Sequence, residues 1–331
     1  MLRGLLRAIG GVYGLVVAIR NRLYDRGQLA SHTVDVPVVC VGNLTAGGTG
    51  KTPLVIWLCG YLQQHGRRCA ILTRGYKTRP GEMTDEPAEL AKACGDVPVI
   101  VNSDRVAGAR KAIEHYQADI LILDDGFQHR RLARDLDIVA IDATCPFGYG
   151  RILPAGLLRE SPKALKRAGA AVLTRSSQVT PEELEAIGQR IETLSPGLPV
   201  AAANHRLRCA VTLKNEQIAL GDLAGKAVYA FCGIGNPAAF FSSLRQNGMN
   251  LVGSETFDDH HAYTPEDMEQ IFKQARRCGA QLILCTQKDW VKSALLGPKT
   301  DEFVFASVAM ELDFVEGLDK ISRLLDTLLR R

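Results

Sequence analysis

The chain has 331 residues, 46% hydrophobic and 23% charged, with a formal net charge of +4, which excludes a disordered or fibrous protein and leaves room for two α/β lobes. That basic excess is too small to indicate nucleic acid, because no basic stripe interleaved with aromatics accompanies it; a membrane surface or an anionic substrate suits it equally. The 9 cysteines, an odd number with no C-x-x-C pair, mostly lie in apolar runs and suit small core residues in a reducing compartment, not a disulfide framework or zinc site.

Met1 to Gly27 places Arg3 and Arg7 before an uncharged stretch, Ala8 to Ile19, and Arg20, Arg22 and Arg26 after it. About 12 residues are too few to cross a bilayer, which takes roughly 20, and neither a small-residue cleavage site nor the charge pattern of an export signal is present. On a helical projection Leu2, Leu5, Leu6, Ile9, Tyr13, Val16 and Val17 fall on or near one face, with arginines at both ends. This predicts a helix lying in the membrane interface within residues 1–30, a helix packed on the core being the alternative. Gly10, Gly11 and Gly14 weaken its helix propensity.

Val38 to Pro53 reads V-V-C-V-G-N-L-T-A-G-G-T-G-K-T-P. A β-branched run, a glycine-rich loop and an amphipathic segment give the strand–loop–helix setting of a phosphate-binding loop, running Thr45, Ala46, Gly47, Gly48, Thr49, Gly50, Lys51, Thr52. Glycines let backbone N–H groups turn inward around phosphate oxygens, and the helix N-terminus adds partial positive charge. Lys51 reaches the terminal phosphates and the Thr52 hydroxyl is placed for Mg²⁺. Thr45 stands where the G-x-x-x-x-G-K-[ST] pattern has its first glycine; Gly47 and Gly48 supply the turn instead.

A helix over Leu54 to Gln64 and a strand over Cys69 to Leu72 follow, then a polar loop from Thr73 to Pro87. In a doubly wound sheet the loops at the carboxyl ends of the strands surround the ligand, which puts Arg74, Tyr76, Asp85 and Glu86 near the phosphate loop. Pro87 suits the first turn of a helix, so an N-cap is the competing role for Asp85. After a strand over Val97 to Val101, Arg105 opens a helix with a charge that opposes the helix dipole, which favours a ligand role. Ile120 to Leu123 then run into Asp124-Asp125-Gly126, a buried parallel strand ending in a carboxylate, as a P-loop enzyme needs to hold Mg²⁺ opposite the loop threonine. Two adjacent aspartates need a cation to offset their repulsion. The arginines of Phe127 to Arg134 suit an anionic ligand or a solvated face.

A strand over Asp137 to Ile141 leads into a long loop ending in Arg159-Glu160, whose length suggests function. Strands over Ala170 to Leu173 and Val200 to Ala203 bracket a helix over Pro181 to Leu194. Polar alternation over Leu207 to Leu213 suggests a hairpin between lobes, after which a second α/β set begins. Its Gly233-Ile234-Gly235 lacks the third glycine and the acidic residue of a dinucleotide loop. The expected fold is α/β, a P-loop NTPase-like doubly wound and mostly parallel sheet with a second smaller α/β lobe, divided at 1–30, 31–203, 204–224 and 225–331.

V-G-N-L-T-A-G-G-T-G-K-T-P, T-R-G-Y, D-E-P, D-D-G-F-Q-H-R-R-L-A-R, L-P-A-G-L-L-R-E, D-H and T-Q-K-D-x-V-K occur in an order that resembles the tetraacyldisaccharide 4′-kinase (lipid A 4′-kinase) family over essentially the whole chain. The resemblance implies transfer of the ATP γ-phosphate to the 4′-hydroxyl of tetraacyldisaccharide 1-phosphate, giving lipid IVA. It implies ATP and Mg²⁺ as cofactors and a peripheral position on the cytoplasmic face of the inner membrane. The membrane surface is met through the N-terminal helix, and neither nucleic acid nor an obligate protein partner is expected. Carried over by motif, Lys51 and Thr52 match the ATP-phosphate and Mg²⁺ positions, Asp124 and Asp125 the acidic pair at the metal, and Glu160 a further metal position. Asp85 matches the catalytic base and His260 its partner, while Tyr76, Arg105, Gln128, His129 and Arg159 match positions lining the substrate cleft. Gln287 stands where the resemblance leads one to expect Glu. The competing functions are a P-loop GTPase or metallochaperone-like ATPase, for which T-Q-K-D has its lysine one place too late to read guanine, and a non-enzymatic membrane-bound nucleotide switch, which has no need of Asp85 and His260.

Overall fold

The computed structural model describes residues 2–75, 85–259, 261–298 and 302–330. In chain order these form α1 (Leu2–Asp25), β1 (Val38–Asn43), α2 (Lys51–Gln64), β2 (Cys69–Thr73), α3 (Asp85–Ala93), β3 (Val99–Val101), α4 (Arg105–Tyr116), β4 (Ile120–Asp124), β5 (Leu136–Asp142), β6 (Ala170–Thr174), α5 (Pro181–Leu194) and β7 (Val200–Thr212). There follow β8 (Gln217–Ala219), α6 (Leu220–Leu223), β9 (Ala227–Cys232), α7 (Pro237–Gln246), β10 (Asn250–Thr256), α8 (Pro265–Arg277), β11 (Leu282–Thr286), α9 (Gln287–Ser293), β12 (Val304–Glu316) and α10 (Leu318–Leu329). They make two compact units, Met1–His205 with Leu312–Arg331, and Arg206–Glu311.

In the first unit the strands lie in the order β3-β2-β4-β1-β5-β6-β7, each pair parallel. Consecutive strand residues point to opposite faces, so near-continuous apolar runs oblige helices to cover both. Val39, Val41, Ile71, Ile122 and Ile138 pack with Leu54, Leu58 and Leu62 of α2 and with Ile321, Leu325 and Leu328 of α10. Their neighbours Val38, Cys40, Leu72, Leu121 and Leu123 pack against Val106, Ala109 and Ala112 of α4, and Val139, Ile141 and Leu173 against Ile187 and Ile191 of α5. The C-terminal helix therefore belongs to the first unit, and the second lobe, expected at 225–331, is Arg206–Glu311 instead, taking in most of the expected linker 204–224: an amphipathic helix carries no mark of which sheet it covers.

The N-terminal helix α1 lies with Gly10 so close to the loop at Ile152 that an added Cβ would meet the Ile152 carbonyl oxygen at 3.0 Å. Val17 is buried, Arg20 Nη2 donates to the Gln128 carbonyl at 3.0 Å, and Asp25 pairs with Arg130 at 2.7 Å. Gly10 and Gly14 thus serve close approach to Ile152, whereas Gly11 borders open space; Leu5, Ile9, Val12, Leu15, Val16 and Ile19 face outward, Val12 at 66% exposure. Among the described residues no helix is long and apolar enough to cross a membrane.

In the second unit the order is β10-β9-β11-β12, all parallel, and Cys209 to Val211 of β7 pair antiparallel with β8. The T-Q-K-D aspartate, Asp289, is fully buried and accepts from the Gly233 N–H and the Tyr263 hydroxyl, both at 2.9 Å, and from Thr286 Oγ1 at 2.6 Å. It ties three loops at the strand ends together. His261 Nε2 lies 2.9 Å from Asp267 Oδ2 and its ring stacks on Phe257.

Candidate active site

β1 ends in Asn43 and α2 begins at Lys51, so residues 44–50 form the loop between them. Gly50 has φ 78°, in the left-handed region, and a side chain there would collide with the His205 ring, whose Nε2 stands 2.7 Å from the Cβ position. Segment 157–159 runs alongside: Ala46 N–H donates to the Leu157 carbonyl at 2.7 Å and Arg159 N–H to the Leu44 carbonyl at 2.8 Å. The long loop expected to be functional is therefore a wall of the phosphate loop.

Parallel pairing of β1 with β4 sets Val41 level with Asp124 and brings the acidic pair beside the start of α2. Asp124 is buried and accepts from Thr73 Oγ1 at 3.2 Å. Asp125, at φ 49°, turns the other way, toward two cations: Lys51 Nζ lies 3.5 Å from Oδ1 and Arg159 Nη1 2.9 Å from both oxygens. Burial pushes the Asp125 pKa up, yet Lys51 and Arg159 outweigh it and hold the carboxyl below its ordinary range. The cation demanded by two adjacent aspartates is thus supplied, for Asp125, by side chains.

Glu160 departs from expectation. It is 1% exposed, and its two oxygens accept from Asn21 Nδ2 at 2.8 Å, Gln128 Nε2 at 2.9 Å and Arg167 Nη2 at 3.0 and 3.1 Å. A carboxylate has about four acceptor positions, so protein donors use them all and Glu160 is an anchor, not a metal ligand. Gln128, expected to line the substrate cleft, is anchored beside it: its amide nitrogen spends both hydrogens on Glu160 and on the Asn43 carbonyl at 2.8 Å, which leaves only its amide oxygen for a ligand. Together they fasten α1, the end of β1 and the Arg159 segment to one another.

Arg105 is 3% exposed; its Nη1 donates to the Asn102 carbonyl at 3.3 Å and its Nε has no partner among the described residues. Burial and then Arg74 lower its pKa, against the pull of Asp124 and Asp125, so it is a desolvated cation suited to an anion. His129 is held down at about 4, first by burial and then by Arg105, Arg134 and Arg131, and is neutral near pH 7. Asp85 is the first residue of α3; Tyr76 and His260 lie outside the described residues.

Asn43, Asp142, Thr174, Arg175 and His205 also surround the loop, and sequence reasoning passed over them. Asp142, Thr174 and His205 sit at or just past the carboxyl ends of β5 and β6 or within β7, and the rule that placed Arg74 and Asp85 near the ligand applies to strand ends on this side as well. Burial, then the charge of Arg175, hold the His205 imidazole down at about 4.

The family model for tetraacyldisaccharide-1-P 4′-kinase matches residues 2–330. The tetraacyldisaccharide 4′-kinase of Desulfotalea psychrophila is 38% identical over 301 residues, 86% of each chain, and that of Halothermothrix orenii 36% over 319 residues, 87% of this chain and 82% of its own. The structure of the "apo" form of LpxK from Aquifex aeolicus in complex with ATP superposes with a TM-score of 0.77 at 30% identity, over 99% of both chains. The phosphate loop, the strand that ends in Asp124 and a match running from residue 2 to residue 330 make this chain a member of the tetraacyldisaccharide-1-P 4′-kinase family.

Proposed function

We propose that the chain is an ATP-dependent kinase that phosphorylates the 4′-hydroxyl of tetraacyldisaccharide 1-phosphate, giving lipid IVA. The reading rests on one observation above all, the glycine loop leading into Lys51 with the Asp124–Asp125 pair and Arg159 gathered at its mouth. Phosphoryl transfer asks little covalent chemistry of a protein and much charge compensation. Lys51 and Arg159 supply that charge at the phosphates, with Arg105 as a further buried cation.

The donors present suit Mg²⁺. Among the described residues no three His, Cys, Asp or Glu side chains cluster as a metal site, and Mg²⁺ needs only one or two carboxylates beside substrate phosphates. With Asp125 engaged by two cations, Asp124 and the Thr52 hydroxyl are the groups that would hold it. Bound there, Mg²⁺ offsets the negative charge of the phosphates.

Asp85 accepts the proton of the acceptor hydroxyl and His260 orients or relays it, roles that rest on the family resemblance. The outward apolar face of α1, flanked by Arg3, Arg7 and Arg22, suits an amphipathic helix lying at the membrane surface where an acylated acceptor resides. The test is phosphate transfer from ATP and from GTP, each with and without acylated disaccharide 1-phosphate. Product forming only with ATP and acceptor together is the expected result; GTP turnover independent of acceptor refutes the proposal in favour of a GTPase.

A further inference from the structure

Three side chains outside the loop motif bind the phosphate loop from behind. Thr174 Oγ1, at the end of β6, donates to the Thr49 carbonyl at 2.9 Å, and Arg175 Nη2 donates to the Gly48 carbonyl at 3.0 Å. Asn43 Nδ2 donates to Thr49 Oγ1 at 2.9 Å and to the Thr45 carbonyl at 2.7 Å. In a planar trans peptide the C=O of one residue and the N–H of the next point in opposite directions. Anchoring the Gly48 and Thr49 carbonyls on the outside therefore turns the N–H groups of Thr49 and Gly50 to the inside.

Arg175 is built for this task. It holds φ 56°, ψ 34°, a left-handed conformation that a residue with a Cβ adopts only when its surroundings impose it, and its Nη1 pairs with Asp142 at the end of β5. Thr174 is fully buried, so a hydroxyl lost there leaves the Thr49 carbonyl without its donor. The His205 ring against Gly50 closes the same side of the loop.

We propose that Thr174 and Arg175, with Asn43, are positioning residues for ATP, holding two loop carbonyls outward so that the following N–H groups face the phosphates. The proposal rests on the loop being the ATP-phosphate site. It predicts a defect in nucleotide affinity and not in acceptor binding, because these carbonyls are occupied by Thr174 and Arg175 and act only through the N–H groups that follow them.

Thr174→Val is the primary variant, since it removes a neutral hydroxyl at nearly constant volume and any effect is free of charge changes. Its KM for ATP should rise about tenfold, the scale of one lost buried hydrogen bond, with a smaller change in kcat and an unchanged KM for acceptor. Thr174→Ser should restore ATP affinity. Arg175→Ala, at a partly exposed site, should behave like Thr174→Val and gives the readout if Thr174→Val does not fold; Arg175→Lys should recover part of the loss. Lys51→Ala, measured alongside, separates the two levels. If Lys51→Ala abolishes turnover while Thr174→Val and Arg175→Ala keep the ATP KM within about twofold of wild type, with only melting temperature changed, the brace is merely structural and the proposal is overturned. If Lys51→Ala retains turnover, the ATP-site reading fails and the brace with it.

Discussion

Glu160→Gln separates an anchor from a metal ligand, because the substitution keeps the volume and removes the charge. In the wild type the carboxylate is 1% exposed and accepts from Asn21, Gln128 and twice from Arg167. The glutamine keeps one acceptor oxygen, sets an NH₂ against these donors and leaves Arg167 without its counter-ion. Breaking a buried ion pair costs about 3–5 kcal/mol; with the Arg167 side chain 19% exposed, water recovers part of this, and about 3 kcal/mol is expected. For a unit of this size that is a fall of roughly 6–12 °C in melting temperature. Thermal and urea denaturation measure it, and a Mg²⁺ titration of kinase rate gives the second readout, where the half-activating concentration should stay within about twofold of wild type. Unchanged stability with a Mg²⁺ requirement raised about tenfold or more would show that Glu160 binds the metal and is not an anchor.

Replacing Leu5, Val12, Leu15 and Val16 by Gln should abolish sedimentation with anionic vesicles yet shift stability by only about 0.5 kcal/mol per site, because all four are exposed; vesicle binding equal to wild type would exclude α1 as the membrane contact. The His205 imidazole, at about 4 in the folded chain and about 6.5 when unfolded, binds its proton first in the unfolded state. Stability from this group is thus fully present above about pH 6.5 and declines as pH falls toward 4, by about 2 kcal/mol at pH 5. Denaturation of wild type and His205→Gln at pH 8 and pH 5 should show a smaller acid loss in the variant, and equal losses would contradict the assignment. Asp85→Ala and His260→Ala should each lower kcat about 10²–10⁴-fold, and the double variant little further; losses that multiply in single-turnover assays would break the pair. His261→Ala should instead act mainly on melting temperature, since its ring is held by Asp267 and Phe257.

Sequence alone determined the elements whose physics is local. The apolar run Ile120 to Leu123 before Asp124, the glycines before Lys51 and the continuous β-branched run of β1 each carry their own signature, so the parallel sheet, the loop and the acidic strand end were all legible. Short polar motifs in a fixed order likewise sufficed for the family. Only the tertiary structure decided which side chains those groups meet. Asp125 faces Lys51 and Arg159 because its backbone turns into the left-handed region after β4. Glu160 is spent on Asn21, Gln128 and Arg167, residues that lie 139, 32 and 7 positions away along the chain. Gly10 and Gly14 of α1 read as a weakness until the loop at Ile152 shows why a Cβ has no room there, and α10 joins the first unit because its Ile321, Leu325 and Leu328 pack into the same core as Leu54, Leu58 and Leu62 of α2. Hydrogen-bond partners and packing faces are set by contacts distant in sequence, and no local pattern records which of several compatible surfaces a polar group or an amphipathic helix will meet.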